Sequence, residues 1–401
     1  MVVRPLDSAF TPFKLGALNL RNRFIKTATY EGMSHNGVPS DELIAFHRRI
    51  AEGGVAMTTV AYGAVNRDGL TNENQIVIDN DAVPFLERLA VTVHRAGAAV
   101  SMQLTHCGYF TRSTRYISRR PPAPTVVLNK YGLLRGRGLS RAMTSGEIGR
   151  TVDDFVRAAG IVKKAGFDAI EIHMGHGYLL SQFLSPAINK RTDDFGGSLT
   201  NRMRFPLLVL RSVKEELGND FPVICKINMS DGFRNGLTPD ESMEFAAALQ
   251  ASGANALVLS GGYTSRTPFY LMRGDIPLKE MVVAERNLLQ KITMALFGSA
   301  IIRKYSFGEN FFLDMASEFR EKLKMPLIYV GGVTSSSGIV RVMDEGFDLI
   351  AIGRALIHDP DFIWRVKDNE SHISDCNHCN VCVAEMDRGG VACPLDVRFK
   401  I

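Results

Sequence analysis

The sequence predicts an α/β protein folded as a parallel (β/α)8 barrel of the TIM type, and three observations support this. Eight short apolar segments rich in β-branched residues alternate with longer segments of helical periodicity, in a loose βα repeat along 401 residues. Helices end in glycine shortly before the next strand, at Gly53, Gly97, Gly166, Gly253 and Gly346. The alternative, an open doubly wound sheet, normally carries G-x-G-x-x-G after its first strand, and the sequence has none there.

The predicted strands are short and apolar, as expected for strands that are buried on both faces. We expect them at residues 23–29, 55–60, 99–104, 169–173, 223–228, 256–260, 327–330 and 349–352. The intervening helices are predicted at residues 41–52, 82–95, 147–164, 203–217, 239–251, 312–322 and 338–344. Asn201 and Arg202 are predicted to cap the helix that follows the fourth strand.

Two long connections interrupt the repeat. Residues 111–143, after strand 3, are rich in Arg, Gly and Pro and are too long for a plain loop, so we expect a lid or hairpin over the barrel mouth. Residues 263–310, after strand 6, form an apolar, partly helical insertion. Its first part is a candidate pocket wall, and its later LLQKITMALFGSAI is interpreted as a packing or homo-oligomer contact. The predicted units are a barrel at 1–368 and a Cys-rich C-terminal extension at 369–401.

Composition excludes several classes of protein. The formal charge of +5 is small and the basic residues are scattered, which argues against a nucleic-acid partner. The most apolar helical window, residues 288–305, is interrupted by Lys291 and by Arg303 and Lys304, so no transmembrane segment and no membrane partner are predicted. The N-terminus has no signal-peptide pattern, and a cytoplasmic location is predicted.

A candidate catalytic loop follows strand 4, where His173, His176 and Tyr178 surround two glycines. Titratable rings at the carboxyl end of a barrel strand are typical of a catalytic loop. Alternatively, these side chains have only a structural role as hydrogen-bonded residues of the core. The two histidines, three residues apart, are also a zinc-type pair, but no third ligand lies nearby in the sequence.

A candidate phosphate site follows strands 7 and 8, where Gly331-Gly332 and Gly353-Arg354 occur. Glycines let backbone N–H groups approach an anion, a helix N-terminus adds a favourable dipole, and arginine can pair with it through two hydrogen bonds. Either motif alone is an ordinary βα turn, whereas the two together favour a phosphate. No P-loop is present, so a nucleoside triphosphate is not indicated.

Several motifs together resemble the old yellow enzyme family of FMN-dependent ene-reductases. They are EIHMGHGYLLSQFLSP, then NKRTDDFGGSLTNRMRF, the Q-L-x-H-x-G form of SMQLTHCG, and NRFIKTATYEG. The resemblance implies a flavoprotein oxidoreductase in which NADH or NADPH reduces FMN and an electrophilic alkene then enters the same site. The alternatives are an NADH oxidase or diaphorase acting on quinones, nitro compounds or oxygen, an enzyme like 2,4-dienoyl-CoA reductase, and a non-enzymatic barrel.

The resemblance also implies roles for individual residues. His173 and His176 would hold the activating carbonyl or nitro oxygen, and Tyr178 would protonate the substrate carbon. The positions implied to contact FMN are Thr27, Ala28, Thr29, Tyr30, Ala61, Gln103 and Lys226. Lys226 stands where the family usually carries Arg, and Tyr30 stands where it usually carries Thr or Cys. A buried lysine needs an anionic partner, and the flavin N1–C2=O edge is the predicted one.

Four cysteines form a metal-type spacing at the C-terminus: Cys376, Cys379, Cys382 and Cys393. The motif is similar to the iron–sulfur motif of larger members of the family, which usually have three residues before the third cysteine. Iron–sulfur, structural zinc and four reduced thiols remain open as interpretations.

Overall fold

The computed structural model describes residues 5–113, 120–129, 133 and 136–395. Eight strands of a nine-stranded parallel sheet form a barrel in which the first strand pairs with both the second and the eighth, so that the sheet closes on itself. The ninth, Ile76–Val77, pairs with the end of the second barrel strand. The barrel strands are β1 Phe24–Lys26, β2 Met57–Ala64, β3 Ala99–Thr105, β4 Ala169–Met174, β5 Val223–Asn228, β6 Ala256–Ser260, β7 Leu327–Tyr329 and β8 Leu349–Ile352. The predicted (β/α)8 barrel is confirmed.

The largest strand boundary error concerns β2, predicted over residues 55–60 and observed over Met57–Ala64. The next concerns β1, which was predicted over residues 23–29 and spans Phe24–Lys26. The Thr27 amide still donates to Ile352 O at 2.9 Å, but the chain leaves the sheet there. Residues 27–30 instead turn over the barrel mouth, where they line a cavity.

The helices alternate with the strands and cover the outside of the barrel. They are α1 Pro5–Ala9, α2 Asp41–Glu52, α3 Val83–Arg95, α4 Ser145–Lys164, α5 Leu179–Leu184, α6 Leu199–Leu217, α7 Pro239–Ala251, α8 Leu278–Ala284, α9 Leu288–Ile301, α10 Leu313–Lys322, α11 Ser336–Asp344, α12 Arg354–His358, α13 Phe362–Asp368 and α14 Val381–Glu385. The predicted cap of α6 was wrong. Ser198 caps this helix by accepting from the Asn201 amide at 3.3 Å, and Arg202 binds Leu184 O and Glu241 from inside the first turn.

Both predicted insertions contribute to the mouth of the barrel. The insertion after β3 contains two short strands, Pro122–Ala123 and Arg141–Ala142, which pair with each other. Its Val127 and Leu128 line the cavity, while residues 114–119, 130–132 and 134–135 lie outside the described part. The insertion after β6 contains α8 and α9.

The barrel interior has an apolar and a polar layer. The amino-terminal end is filled by Ile25, Met57, Ala169, Ile224 and Ile328, and a larger apolar core lies between strands and helices. Nearer the carboxyl ends, the lumen holds buried Gln103, Glu171 and Lys226. A polar layer therefore lies directly beneath the mouth, where barrel enzymes place their sites.

The Cys-rich extension packs against the barrel in its described part. The Val391 amide donates to Glu31 O at 2.7 Å and the Ser374 amide to Thr334 O at 2.8 Å. The boundary at residue 368 and the cytoplasmic location stay predictions. Among the helices of the described ranges, none has both the length and the apolarity needed to cross a bilayer.

Candidate active site

A cavity of about 900 Å³ opens at the carboxyl ends of the barrel strands. Its lining brings together almost every residue that the sequence singled out. These are Thr27, Ala28, Thr29, Tyr30, Gln103, His173, His176, Tyr178, Lys226, Gly331, Gly332, Gly353 and Arg354. Residues from β1, β3, β4 and β5 and from the ends of β7 and β8 thus meet at one place.

Ala61 is the predicted cofactor-binding residue that the lining does not include. Its amide donates to Oε2 of buried Glu31 at 3.1 Å. The next residue, Tyr62, does line the cavity and stacks on Tyr30 with ring centroids 5.2 Å apart. The side chain exposed at this point is therefore a tyrosine that the sequence analysis had not considered.

The two histidines present free ring nitrogens to the cavity. Nδ1 of His173 accepts from the Gly175 amide at 3.4 Å, and Nε2 of His176 lies 2.7 Å from Ser260 Oγ. The rings are 4.9 Å apart, and Nε2 of His173 and Nδ1 of His176 make no hydrogen bond to a described residue. A neutral imidazole that accepts through one nitrogen carries its proton on the other. His173 therefore carries its proton on Nε2, and in the tautomer in which Ser260 donates to Nε2 of His176, two N–H donors can converge on one oxygen.

Burial keeps both histidines neutral. It lowers the pKa of His173 well below the ordinary value, with a smaller contribution from His176. Burial, followed by the charge of Lys226, lowers the pKa of His176 to about 3. Both rings therefore act as uncharged hydrogen-bond donors at neutral pH, which is the form needed to polarise a carbonyl without a prior charge.

The lowered pKa of His176 predicts a dependence of stability on pH. Its folded form binds a proton more weakly than the unfolded chain, so the free energy of unfolding must fall as pH drops below the unfolded-state pKa. Relative to His176→Asn, the wild-type protein should lose about 1.4 kcal/mol between pH 7.5 and 5.5. Urea unfolding at both pH values measures this, and Asn suits the positive φ of 57° at this position. A difference that does not change with pH contradicts a neutral, buried His176.

Tyr178 is buried beside His173 and pairs with a second phenol. Its ring centroid lies 4.5 Å from that of His173, and its hydroxyl donates to the Tyr62 hydroxyl at 2.8 Å. Burial, then Tyr62, raises the pKa of Tyr178 well above its usual value, and burial raises the pKa of Tyr62 to about 12. Both phenols are protonated at neutral pH, so Tyr178 holds a proton that it can donate.

A cluster of polar side chains under the cavity includes Glu171, which the sequence analysis missed. Buried Glu171 accepts from Gln103 Nε2 and lies 3.6 Å from Nζ of Lys226, which also donates to Thr27 Oγ1 at 3.0 Å. The anionic partner of Lys226 within the chain is thus a carboxylate. The bond to Glu171 also fixes the orientation of the Gln103 amide. The amide oxygen of Gln103 makes no hydrogen bond to a described residue and stays free.

The candidate phosphate site is partly as expected. Gly332 adopts φ of +83°, and a Cβ there would lie 2.7 Å from Phe311, so this close turn requires glycine. Nη1 of Arg354 donates to Arg273 O at 2.8 Å and to Asn380 Oδ1 at 2.5 Å, which leaves Nε and Nη2 without a hydrogen bond to a described residue.

The N-terminus of α11 differs from the expectation. The Thr334 amide donates to Glu309 at 2.8 Å, and the Ser335 hydroxyl donates to the same carboxylate at 2.8 Å. Ser335 is the N-cap and accepts from the Gly338 amide at 2.9 Å, while Glu309 from the insertion after β6 holds the two residues before the helix. An anion in the cavity would have to rely on the glycine turns and Arg354 instead.

The residues present fit FMN. Thr29 Oγ1 lines the cavity and is buried with no hydrogen-bond partner among the residues described. The free oxygen of Gln103 and the cation of Lys226 lie on the same floor, and Arg354 lies at the ends of β7 and β8. A heterocycle with an imide edge and a phosphate tail would satisfy these groups.

The four C-terminal cysteines form no disulfide with a described residue and lie near one another. Burial raises the pKa of Cys382 to about 12, with smaller effects of Arg354 and the other three thiols, and Cys393 Sγ lies 3.3 Å from Nδ1 of His358. Across the described ranges, no three His, Cys, Asp or Glu side chains lie close enough to hold a metal ion. No chemical step is therefore derived through a metal.

Comparison with known proteins assigns the chain to one family and finds relatives that align with nearly all of it. Residues 8–265 and 277–372 match the model of the NADH:flavin oxidoreductase / NADH oxidase family. The chain is 40% identical over 390 residues to 4,4'-dithiodibutanoate disulfide reductase of Rhodococcus erythropolis, covering 97% of this chain and 95% of that protein. It is 31% identical over 374 residues to a metal reductase of Desulforamulus reducens, covering 92% of this chain and 50% of that protein.

Among solved structures, 2-naphthoyl-CoA reductase superposes with a TM-score of 0.83 at 22% identity, over 98% of this chain and 57% of that one. At this identity the likeness shows the shared fold. The chain spans about half the length of the metal reductase and little more than half of the naphthoyl-CoA reductase.

Proposed function

Because the chain belongs to the NADH:flavin oxidoreductase / NADH oxidase family, the family of the old yellow enzymes, we propose that it binds FMN, takes electrons from NADH or NADPH and reduces activated C=C bonds. Its membership makes it an oxidoreductase and confirms the resemblance found in the sequence. That the substrate is an alkene is the part of the proposal that goes beyond family membership. One observation carries it: two neutral histidines and a protonated tyrosine share the cavity with the groups that fit FMN.

The roles of the residues follow from their chemistry. FMN, when bound, supplies the hydride for the substrate after taking one from NAD(P)H. His173 and His176 donate hydrogen bonds to the carbonyl or nitro oxygen of an α,β-unsaturated substrate and stabilise the charge that builds there. Tyr178 gives its proton to the α-carbon, and Tyr62, at 2.8 Å, can then donate to the phenolate oxygen left behind.

The experiment is a spectrum followed by two separate half-reactions. The purified protein should show flavin absorption bands that bleach with NADH or NADPH in the absence of oxygen. Cyclohex-2-enone should then restore them. A protein that neither contains nor binds FMN rules out the whole proposal. A reduced protein that is reoxidised only by oxygen or a quinone rules out the alkene and favours an NADH oxidase or diaphorase.

A second candidate function is disulfide reduction, favoured by the Rhodococcus erythropolis relative at 40% identity over nearly the full length of both chains. The compound in its name carries a carboxylate at each end. Arg266 lines the cavity rim, is exposed, and forms no salt bridge with any described residue. It packs over Phe233 at 4.7 Å, close to the hydroxyls of Ser265 and Tyr109. NAD(P)H plus one proton would convert the disulfide into two thiols and NAD(P)⁺.

If Arg266 binds a substrate carboxylate, Arg266→Gln should raise KM for 4,4'-dithiodibutanoate about fivefold, since an exposed ion pair contributes up to about 1 kcal/mol. KM for cyclohex-2-enone and both kcat values should stay near wild type. Arg234→Gln is the matched control, because Arg234 is exposed nearby but lies outside the cavity lining. Equal effects of Arg266→Gln on the charged and the neutral substrate would contradict carboxylate recognition.

For the cysteines, iron–sulfur or zinc remains a prediction. Metal analysis of the purified protein, together with thiol titration of Cys376, Cys379, Cys382 and Cys393, tests it directly. Four titratable thiols and no metal would remove the prediction.

A further inference from the structure

Helix α9, in the insertion after β6, has an inner face that lines the cavity and an outer face that is exposed. Gln290, Thr293 and Met294 of α9 line the cavity wall. Across the whole helix, only Gly298 is buried, at its contact with Leu278 of α8. The helix is apolar except for Gln290, Lys291, Thr293 and Ser299. A helix with so few polar residues normally lies inside a protein or at a lipid boundary. The outer face of α9 therefore requires a partner.

The outer face forms an apolar stripe. Leu288, Ile292 and Leu296 recur every four residues and so align along about 12 Å of helix. Leu288 is 71% and Leu296 67% exposed, and Leu289 and Phe297 widen the stripe. Seven of the sixteen exposed large apolar side chains of the described surface lie between Val283 and Ile301. Such a concentration of exposed apolar side chains in one segment indicates a contact surface, whereas single exposed apolar residues are ordinary.

The charged residues within the segment that carries this stripe are all basic. Residues 286–304 contain four basic residues, Arg286, Lys291, Arg303 and Lys304, and no Asp or Glu. Lys304 pairs with Asp275 at 2.6 Å. The other three cations make no salt bridge to a described residue, and Arg286 and Arg303 are exposed. The cations thus lie at both ends of the apolar stripe and beside it.

This combination distinguishes between two occupants. A two-fold dimer would place the surface against itself, bringing together the cations of the two copies, and residues 286–304 supply no carboxylate to pair with them. An anionic bilayer matches both features, because the apolar side chains enter the acyl boundary while the cations reach the lipid headgroups. The interruption by Lys291, Arg303 and Lys304 that excludes a transmembrane segment is compatible with a helix lying in the interface plane.

We propose that the outer face of α9 docks this protein on anionic lipid bilayers. The cavity wall, formed by the inner face of the same helix, then lies next to the membrane surface. The bilayer contact is a property of the protein's surface and does not depend on which substrate the cavity accepts.

The test is co-sedimentation of the full chain with vesicles of phosphatidylcholine alone or with about 30% phosphatidylserine. The wild-type protein should bind the anionic vesicles, bind the neutral ones far more weakly, and dissociate when salt rises from about 50 to about 500 mM. Leu288→Gln with Leu296→Gln should weaken binding about tenfold for each leucine. Lys291→Gln with Arg303→Gln should weaken it about thirtyfold in total.

The control is Ile373→Gln, since Ile373 is exposed to a similar degree, 66%, but lies outside the insertion. It should bind like wild type. Circular dichroism and thermal melts check that all variants fold. Failure of the wild-type protein to bind anionic vesicles overturns the proposal, as does binding that survives both double variants. If the chain instead elutes as a dimer that Leu288→Gln with Leu296→Gln dissociates, without vesicle binding, the occupant is a second copy and the proposal is wrong.

Discussion

Replacing Tyr178 with phenylalanine is expected to slow alkene reduction by about two to four orders of magnitude, the usual contribution of a positioned acid. Reduction of the protein by NADH or NADPH should stay near its wild-type rate. The phenol is buried, donates to Tyr62, and has a raised pKa, so it is the protonated group beside the histidine pair. Rapid mixing under anaerobic conditions measures the two half-reactions separately.

The control for this prediction is Tyr305→Phe, because Tyr305 lies outside the cavity lining and loses the same hydroxyl. It should leave both half-reactions unchanged. Acceptors that need no proton on carbon, such as quinones, should be reduced by the Tyr178 variant at nearly the wild-type rate. An equal loss in both half-reactions would count against proton donation and would indicate damage to the cavity.

The barrel was predictable because its periodicity is local. Strands β5, β6 and β8 lie at the predicted residues, since each is a short apolar run between a helix end and a polar turn. The error at β1 has a physical cause that sequence patterns do not contain. Residues 27–30 continue an extended pattern, but a closed barrel has no further neighbour for them at its mouth, and they turn inward to line the cavity.

Several residues beneath and beside the cavity were missed for a related reason. Glu171 is the charged residue in an otherwise apolar strand, and this signal was available in FDAIEI. Its partners Gln103 and Lys226 lie on two neighbouring strands, 68 residues away in one case, so the contact depends on the strand register. Tyr62 and Glu309 lie in segments without a recognisable motif. Their contacts become visible only once the strand ends are brought together.

A second buried ion pair lies between the barrel and α2, and the sequence analysis assigned no role to either of its residues. Lys26 pairs with Glu31, both side chains being at most 1% exposed, and Lys26 also donates to Thr59 O at 3.3 Å. Glu31 accepts from the Ala61 amide and lies 3.6 Å from Nε2 of His47. Burial lowers the pKa of His47, so this ring is a poor substitute for a cation. Lys26 is thus the main compensation for a carboxylate that holds the chain beside Tyr62.

We therefore expect Lys26→Met to destabilise the fold by about 3–5 kcal/mol, the usual cost of removing one partner of a buried ion pair. Glu31 must then stay charged without a cation or take up a proton, and both cost free energy. Guanidinium unfolding of the two proteins at pH 7.5 measures the difference. Adding Glu31→Gln to Lys26→Met should recover part of the loss, because the amide removes the uncompensated charge and can still accept from Ala61.

An exposed ion pair is the matched comparison for this buried one. Arg388 and Glu385 form a salt bridge of 2.8 Å on the surface, with Arg388 48% exposed, so Arg388→Met should cost no more than about 1 kcal/mol. The difference in unfolding free energy between Lys26→Met and Arg388→Met shows how much of the loss is due to burial. If Lys26→Met and Arg388→Met cost the same, or if Glu31→Gln makes the Lys26 variant still less stable, the free-energy penalty does not come from an unpaired charge at Glu31.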